Sequence, residues 1–98
     1  MTLFEEKVYR VVRKVQRGKV TTYKKIARAI GSPNSSRAVG NALNKNPYVP
    51  LVPCHRVVKS DRSIGGYTFG AAKKMKILRK EGIIIRNKKI TSRTQLSF

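Results

Sequence analysis

Three prolines spaced three residues apart, Pro47, Pro50 and Pro53, exclude regular helix from the middle of this chain. Proline has no amide proton to donate within a helix, and its ring restricts the preceding residue to extended conformations. We therefore predict an extended segment here.

The 98 residues fit a single domain over 1–98, with a modest core over about residues 3–90 and a loose tail over 91–98.

Apolar residues at helical spacing predict a helix at each end of the chain. Thr2-Leu3-Phe4-Glu5 has the spacing of a capping box, the apolar positions behind it continue to Val15, and Gly18 closes the first helix. The last helix is predicted from about Ala71 to Glu81, where a glycine again follows.

Between these lie two shorter predicted helices. Thr22 can cap the first of them, and Gly31 ends it. After a turn, Asn34 or Ser35 can cap the next helix, which runs from Ser36 to about Leu43. Two short helices joined by a tight turn that contains glycine are typical of the helix-turn-helix, whose second helix contacts DNA.

Two further features complete the predicted fold, which is mainly α with small β elements and is similar to a winged helix. The second helix of the pair is rich in small residues, which fit either close packing or close approach to a nucleic-acid backbone. Val57-Val58 predicts a short strand, and the isoleucines on both sides of Asn87-Lys88-Lys89 predict a hairpin or wing.

The charge of the chain indicates its partner. Its 23 Lys and Arg against 4 Asp and Glu give a formal charge of +19, whose self-repulsion favours a polyanionic partner. Nucleic acid is the leading candidate and an anionic membrane surface the second, although no apolar run could span a bilayer. The acidic start, where a signal peptide would be basic, and the single cysteine predict an intracellular protein.

Cys54 and His55, the only cysteine and the only histidine, are adjacent. A single cysteine is most often a small buried hydrophobe. Fixed proline geometry, cationic surroundings that favour a thiolate, and a neighbouring imidazole favour a nucleophile instead. Neighbours in sequence do not face each other in a helix, so a water would have to connect the thiol to the imidazole.

Few acidic groups are available to orient His55. The four carboxylates include Glu81, which sequence alone places at an ordinary solvated helix end. One cysteine, one histidine and these carboxylates are too few for a metal site, so we expect no metal and no cofactor.

The run Pro-Cys-His-Arg-Val-Val at residues 53–58 resembles the active-site motif of the O6-alkylguanine-DNA alkyltransferases. The resemblance extends over about residues 3–82. "VTTYKKIA" and "SRAVGNAL" resemble the helix-turn-helix of that family, "NPYVPLVPCHRVV" its hinge and nucleophile, "GGYT" its pocket loop, and "ILRKEG" its last helix.

The resemblance implies a DNA repair protein that flips O6-alkylguanine out of duplex DNA and transfers the alkyl group irreversibly to Cys54. His55 would act as the base through a water, with Glu81 completing the relay. Tyr23 would contact the DNA backbone and polarise the departing guanine, and Arg37 would fill the gap left in the base stack. The protein would act once per molecule, as a monomer, from the minor groove of double-stranded DNA.

The remaining matched residues fall into two groups by their implied roles. Those in "SRAVGNAL", which resembles the recognition helix of the family, would contact DNA. Those in the hinge and pocket loop would form the hinge and the substrate pocket, with Asn46 stabilising the turn before the active site. The first group is Ser36, Ala38, Gly40 and Asn41, and the second is Asn46, Pro53, Val57, Tyr67 and Thr68.

One departure and one alternative accompany the resemblance. Phe69 stands where the family frequently has a small glycine, which puts tolerance of bulky alkyl groups in question. The alternative is a non-enzymatic alkyl-lesion sensor or a winged-helix DNA-binding protein with the same fold. A catalytically silent relative in this family carries Trp at the cysteine position, so the presence of Cys54 favours activity.

Overall fold

A computed structural model describes residues 1–49, 51–91 and 96–97, and it confirms a mainly helical fold with small sheets. Four α-helices are joined by short strands and turns. Their bounds are α1 Leu3–Val12, β1 Thr21–Thr22, α2 Tyr23–Ala29, α3 Ser36–Asn44, a 3₁₀ turn Cys54–Arg56, β2 Val57–Val58, α4 Ala71–Lys80, β3 Ile85–Arg86 and β4 Lys89–Ile90.

The first helix begins as predicted and ends early. The Glu5 amide donates to the Thr2 hydroxyl at 3.1 Å, and the Thr2 amide donates to the Glu5 carboxylate at 2.9 Å, which completes the capping box. The prediction that the helix continues through Val15 is wrong, because α1 ends at Val12. The Val15 amide donates to the Val12 carbonyl, so the chain tightens into a turn that still buries Val15 in the interior.

The helix-turn-helix pair forms at the predicted positions. The Lys25 amide donates to the Thr22 hydroxyl at 3.1 Å, which caps α2. Ser35 occupies the N-cap position of α3 without a side-chain capping bond. Helices α1, α2 and α3 pack together over one apolar cluster, whose fully buried members include Val8, Val12, Ile26, Ala27 and Val39.

The proline-rich segment is compact rather than extended, which corrects the prediction. The Val52 amide donates to the Tyr48 carbonyl at 2.9 Å, and the Cys54 amide donates to the Val52 carbonyl at 2.8 Å. The prolines do exclude regular helix, but the chain satisfies its backbone groups through successive turns. Pro50 itself lies outside the described residues.

The second half of the chain surrounds a smaller apolar cluster. Strand β1 pairs in parallel with β2, and β3 pairs with β4 in the predicted hairpin. The hairpin also bonds to the segment that precedes Gly65, where the Ile64 amide donates to the Lys88 carbonyl. The buried members of this cluster are Val20, Val58, Ile64, Leu78, Ile83, Ile85 and Ile90.

Part of the tail is anchored, contrary to the expectation that 91–98 is loose. Leu96 forms a parallel bridge with Val20, and the Ser97 amide donates to the Val20 carbonyl at 2.6 Å. These contacts give the backbone of Val20 a partner beside β1. Residues 92–95 and 98 lie outside the described part of the chain.

Across residues 1–49, 51–91 and 96–97, no helix combines the length and the apolar character needed to cross a membrane. Within the same residues, no cluster of three or more His, Cys, Asp or Glu side chains could hold a metal ion.

Candidate active site

The parallel pairing of β1 with β2 connects the helix-turn-helix to the cysteine. Thr21 pairs with Val57 and Thr22 with Val58. Strand β1 leads directly into α2 at Tyr23, and β2 directly follows the 3₁₀ turn that begins at Cys54. Two strands that are 36 residues apart in sequence are therefore held side by side by one short ladder.

Cys54 is almost enclosed by the rest of the molecule. It is 5 % exposed and belongs to the apolar cluster beneath α1, α2 and α3. A cavity of about 460 Å³ lies elsewhere, between α1 and the Tyr48–Val52 turn, and a second of about 240 Å³ lies beside Ile30. Cys54 lines neither of these cavities.

His55, Glu81 and Arg56 form a buried polar cluster next to Cys54. The His55 Nε2 lies 3.1 Å from Glu81 Oε2. Arg56 donates to both Glu81 oxygens, from Nε at 3.0 Å and from Nη2 at 2.7 Å, and its Nη1 donates to the Val15 carbonyl at 3.0 Å. The Glu81 side chain is 9 % exposed, so the solvated helix end that sequence alone favours is wrong. Two donors draw this carboxylate inward.

The protonation states of this pair follow from its surroundings. Burial lowers the pKa of His55, and this outweighs the opposing hydrogen bond and negative charge of Glu81. Burial alone would raise the pKa of Glu81, but hydrogen bonds from Arg56 and His55 bring it below its usual value. At neutral pH an anionic Glu81 accepts from a neutral imidazole, so His55 Nε2 carries the proton and Nδ1 keeps its lone pair. That lone pair can serve as a base.

Tyr23, the first residue of α2, lies between the recognition helix and the loop Gly65–Gly70, which we call the pocket loop. A Cβ built on Gly65, whose φ is +73°, would lie 3.3 Å from the Tyr23 hydroxyl, so a glycine permits this close approach. A Cβ on Gly40 would make only an ordinary contact with the Tyr23 ring. Burial raises the pKa of Tyr23, and the charge of Cys54 adds to the shift, so the hydroxyl keeps its proton.

Two side chains of the pocket loop contact neighbouring parts of the fold. The Tyr67 ring meets His55 edge-on, with ring centroids 6.5 Å apart, and meets Phe69 at 5.6 Å. Thr68 donates to the Asn44 carbonyl at 3.4 Å, a long bond that connects the loop to the end of α3. Both ends of the loop have positive φ, +73° at Gly65 and +93° at Gly70.

The recognition helix α3 presents a clear solvent face. Arg37, Ala38 and Asn41 are exposed, while Ser36 and Gly40 are half-buried. The opposite face is packed, and the carbonyl of Ala42 accepts the Tyr9 hydroxyl at 2.6 Å. Of the small residues on α3, Ala42 packs in the interior, whereas Ala38 is exposed. Arg37 stands on that surface, away from the buried cluster.

The hinge residues are placed around the proline turn. Asn46 is buried, and its amide donates to the Val52 carbonyl while its side-chain oxygen accepts the Tyr48 amide, both at 2.9 Å. Pro53 occupies the N-cap position of the 3₁₀ turn. Asn46 therefore fixes the path of the chain from α3 to Cys54.

Two cations at the site were missed by the sequence analysis. Arg56 holds Glu81, and Lys74 is completely buried, with Nζ donating to the Val57 carbonyl at 2.6 Å and to the Gly66 carbonyl at 3.0 Å. Lys74 precedes the inward-facing Leu78 by four residues, a helical spacing that puts both on one face. That spacing was the available signal, and the general excess of lysine concealed it.

A helix-turn-helix is typical of DNA-binding proteins, and here it is joined to a buried cysteine. Comparisons with known proteins identify the family. Residues 3–83 match the model of the 6-O-methylguanine DNA methyltransferase, DNA binding domain. The chain therefore belongs to this family.

Named relatives agree with this assignment. A methylated-DNA–protein-cysteine methyltransferase from Metallosphaera sedula is 52% identical over 85% of this chain and 51% of its own length. The chain thus spans about half the length of this relative. Mycobacterium tuberculosis OGT in complex with DNA superposes with a TM-score of 0.82 at 35% identity, covering 84% of this chain and 50% of that one. S. pombe Atl1, in complex with damaged DNA containing O6-carboxymethylguanine, gives 0.77 at 36% identity, covering 88% and 83%.

Proposed function

We propose that this protein repairs DNA by taking the alkyl group of O6-alkylguanine onto Cys54. The observation that carries the proposal is the hydrogen bond by which Glu81 orients the imidazole of His55, the residue that follows Cys54. The Cys54 sulfur attacks the alkyl carbon, the carbon–O6 bond breaks, and its electron pair leaves with guanine. His55 takes the thiol proton through a water, and Tyr23 supports the departing base. The product is a thioether without a leaving path, so each molecule acts once.

Capture of the lesion requires the guanine to leave the duplex, because its alkyl group lies on a base edge inside the helix. In our proposal α3 enters the minor groove, with Ser36, Ala38, Gly40 and Asn41 against the backbone. Arg37 fills the space that the flipped nucleotide leaves, as inserted side chains do in other minor-groove proteins. Its exposure on α3 supports this role.

The enclosure of Cys54 means that the pocket loop has to open for the guanine to reach it. Gly65 and Gly70 have positive φ at the two ends of the loop and are suited to act as hinges. Tyr67, Thr68 and Val57 would then line the pocket, with Pro53 and Asn46 fixing its base. The +19 charge supports sequence-independent scanning of DNA. In our proposal the protein acts as a monomer inside the cell, in the nucleoid or the nucleus according to its source.

The decisive experiment is mass spectrometry of the protein after incubation with a duplex oligonucleotide containing O6-methylguanine. We expect a gain of one methyl group on Cys54 and no gain in Cys54→Ala. Unchanged mass with retained binding to the methylated duplex would instead identify a lesion sensor. Selective binding to one undamaged sequence would identify a transcription regulator.

The role of Arg37 has a separate test. We expect Arg37→Ala to slow alkyl transfer from duplex DNA by about 10²-fold or less, the magnitude of a few kcal/mol of unstacking, and to leave transfer from free O6-methylguanine nearly unchanged. The matched control is Arg28→Ala, which removes an exposed charge from α2. Equal slowing with the duplex and the free base would remove Arg37 from the extrusion step.

A further inference from the structure

The last described part of the chain makes contacts that lie outside the family match. Residues 3–83 match the family model, whereas the hairpin of β3 and β4 and the tail residues Leu96 and Ser97 follow that match. We call the described residues 84–91, 96 and 97 the C-terminal clamp. Its two arms, the hairpin and the tail, each pair with an earlier segment of the chain.

The hairpin arm pairs with the chain just before Gly65, the first residue of the pocket loop. The Ile64 amide donates to the Lys88 carbonyl at 3.0 Å, and the Arg62 Nη1 donates to the Thr91 carbonyl at 2.8 Å. The hairpin thereby gains a third strand. Two strands are marginally stable by themselves, and a third strand stabilises them. The start of the pocket loop is therefore held by the hairpin arm.

The tail arm pairs with the chain just before Tyr23. Leu96 forms a parallel bridge with Val20 and packs against the second apolar cluster. The Ser97 amide donates to the Val20 carbonyl at 2.6 Å, and the Ser97 carbonyl accepts the Thr21 hydroxyl at 3.2 Å. The tail thus adds a partner to the short ladder of β1 and β2, from which the chain continues into α2 at Tyr23.

The two arms hold the two sides of one contact. A Cβ built on Gly65 would lie 3.3 Å from the Tyr23 hydroxyl, so the tyrosine ring lies against the backbone at the start of the pocket loop. The hairpin arm bonds to the residue before Gly65, and the tail arm bonds to the two residues before Thr22, the N-cap of α2. Movement of either side of this contact is therefore opposed by nearby hydrogen bonds.

We propose that the C-terminal clamp positions Tyr23 against Gly65 and thereby sets how often the pocket loop opens. This inference rests on the proposed function, in which guanine reaches Cys54 after the loop has opened. Leu96 and Ser97 are positioning residues that act on Tyr23 through β1. The apolar cluster beneath α1, α2 and α3 contains no described residue of the clamp, so these helices stay packed when an arm is loosened.

The first test measures hydrogen exchange of single amides by NMR, without DNA, in the wild type, Ser97→Pro and Ser97→Ala. Proline removes the amide donor of the tail arm, whereas alanine keeps it. The Lys25 amide donates to the Thr22 hydroxyl and reports the start of α2. The Glu5 amide makes the equivalent bond to Thr2 and reports α1, far from the clamp in sequence.

We expect Ser97→Pro to accelerate exchange of the Lys25 amide by about fivefold, the effect of one net hydrogen bond on a local opening equilibrium. Ser97→Ala should stay within about twofold of the wild type at Lys25, and Glu5 should do so in both variants. Wild-type exchange at Lys25 in Ser97→Pro, or equal acceleration at Glu5, would overturn the positioning role.

The second test follows the pocket loop through the rate at which iodoacetamide alkylates Cys54, the only cysteine. Ser97→Pro loosens the tail arm, and Arg62→Met removes the side-chain donor that bonds to the hairpin arm. Each should raise the alkylation rate by about threefold to fivefold. Arg86→Met removes an exposed arginine from the same hairpin and should leave the rate within about twofold of the wild type.

Thermal melts establish that each variant is folded, and low urea separates local from global opening. Local opening exposes little surface, so the faster alkylation should depend only weakly on urea. A wild-type alkylation rate in either arm variant, or a urea dependence as steep as that of global unfolding, would contradict the proposal. Neither test uses methylated DNA, so a failure of repair activity remains distinguishable from a failure of the clamp.

Discussion

Arg56 and Lys74 both place a positive charge in the interior near Cys54, and the structure treats the two charges differently. Arg56 donates to both oxygens of Glu81 and to the Val15 carbonyl, so its charge and its hydrogen-bonding groups are satisfied. Lys74 has two carbonyl acceptors and no carboxylate partner within the described residues. The first cation is part of a matched ion pair, whereas the second has no anionic partner among the described residues.

This difference indicates different roles for the two cations. A planar guanidinium that grips a carboxylate at two points fixes geometry, and here it fixes the carboxylate that orients His55. A buried ammonium without a carboxylate raises the energy of the resting state, a feature that clusters at functional sites. We therefore expect Arg56 to matter mainly for stability and Lys74 mainly for reactivity.

The largest expected effect comes from breaking the matched pair. Arg56→Met leaves Glu81 buried without its main donor and should lower the free energy of unfolding by about 3 kcal/mol. Lys74→Met should change it by about 1 kcal/mol or less, because relief of the desolvated charge offsets the loss of two hydrogen bonds. Urea denaturation at pH 7 measures both. Equal destabilisation by the two substitutions would contradict the distinction between the cations.

A smaller effect should appear in alkaline solution. The pKa of Lys74 is about 8 in the folded protein against an ordinary 10.5, so between these values the unfolded chain binds more protons than the folded one. The free energy of unfolding should therefore rise with pH, by about 1.5 kcal/mol between pH 8 and 9.5 relative to Lys74→Met. His55 and Tyr23, the titratable groups near the Lys74 ammonium, are retained in both proteins. A constant difference between the two curves would show that Lys74 does not titrate in this window.

Much of the fold was predictable because it depends on local rules. The Thr2 and Thr22 caps follow from side chains that bond to backbone a few residues away. The helix-turn-helix and the hairpin follow from turn residues between apolar segments. The end of α1 and the path of the proline segment were not predictable in this way. Both depend on backbone groups finding partners in turns, and apolar periodicity carries no information about that choice.

The site was predictable only where a motif marked it. The Cys54–His55 pair is visible in the sequence, and the resemblance implied that Glu81 joins it. The identity of Glu81 as a buried group required the fold, because α4 brings it against Arg56 from twenty-five residues away. Lys74 was invisible because its burial is a property of the packed helix, whereas in the sequence it is one of 23 basic residues.

The enclosure of the chain's one cysteine has a practical consequence for studying its motion. A reagent that modifies thiols can act only at Cys54, because the chain has one cysteine. In our proposal it reaches the sulfur only while the pocket loop is displaced. At high reagent concentration the labelling rate becomes the opening rate itself, in the same way that amide exchange reports local unfolding. The labelling rate of Cys54 therefore measures the opening of the pocket loop without an added fluorophore or an engineered residue.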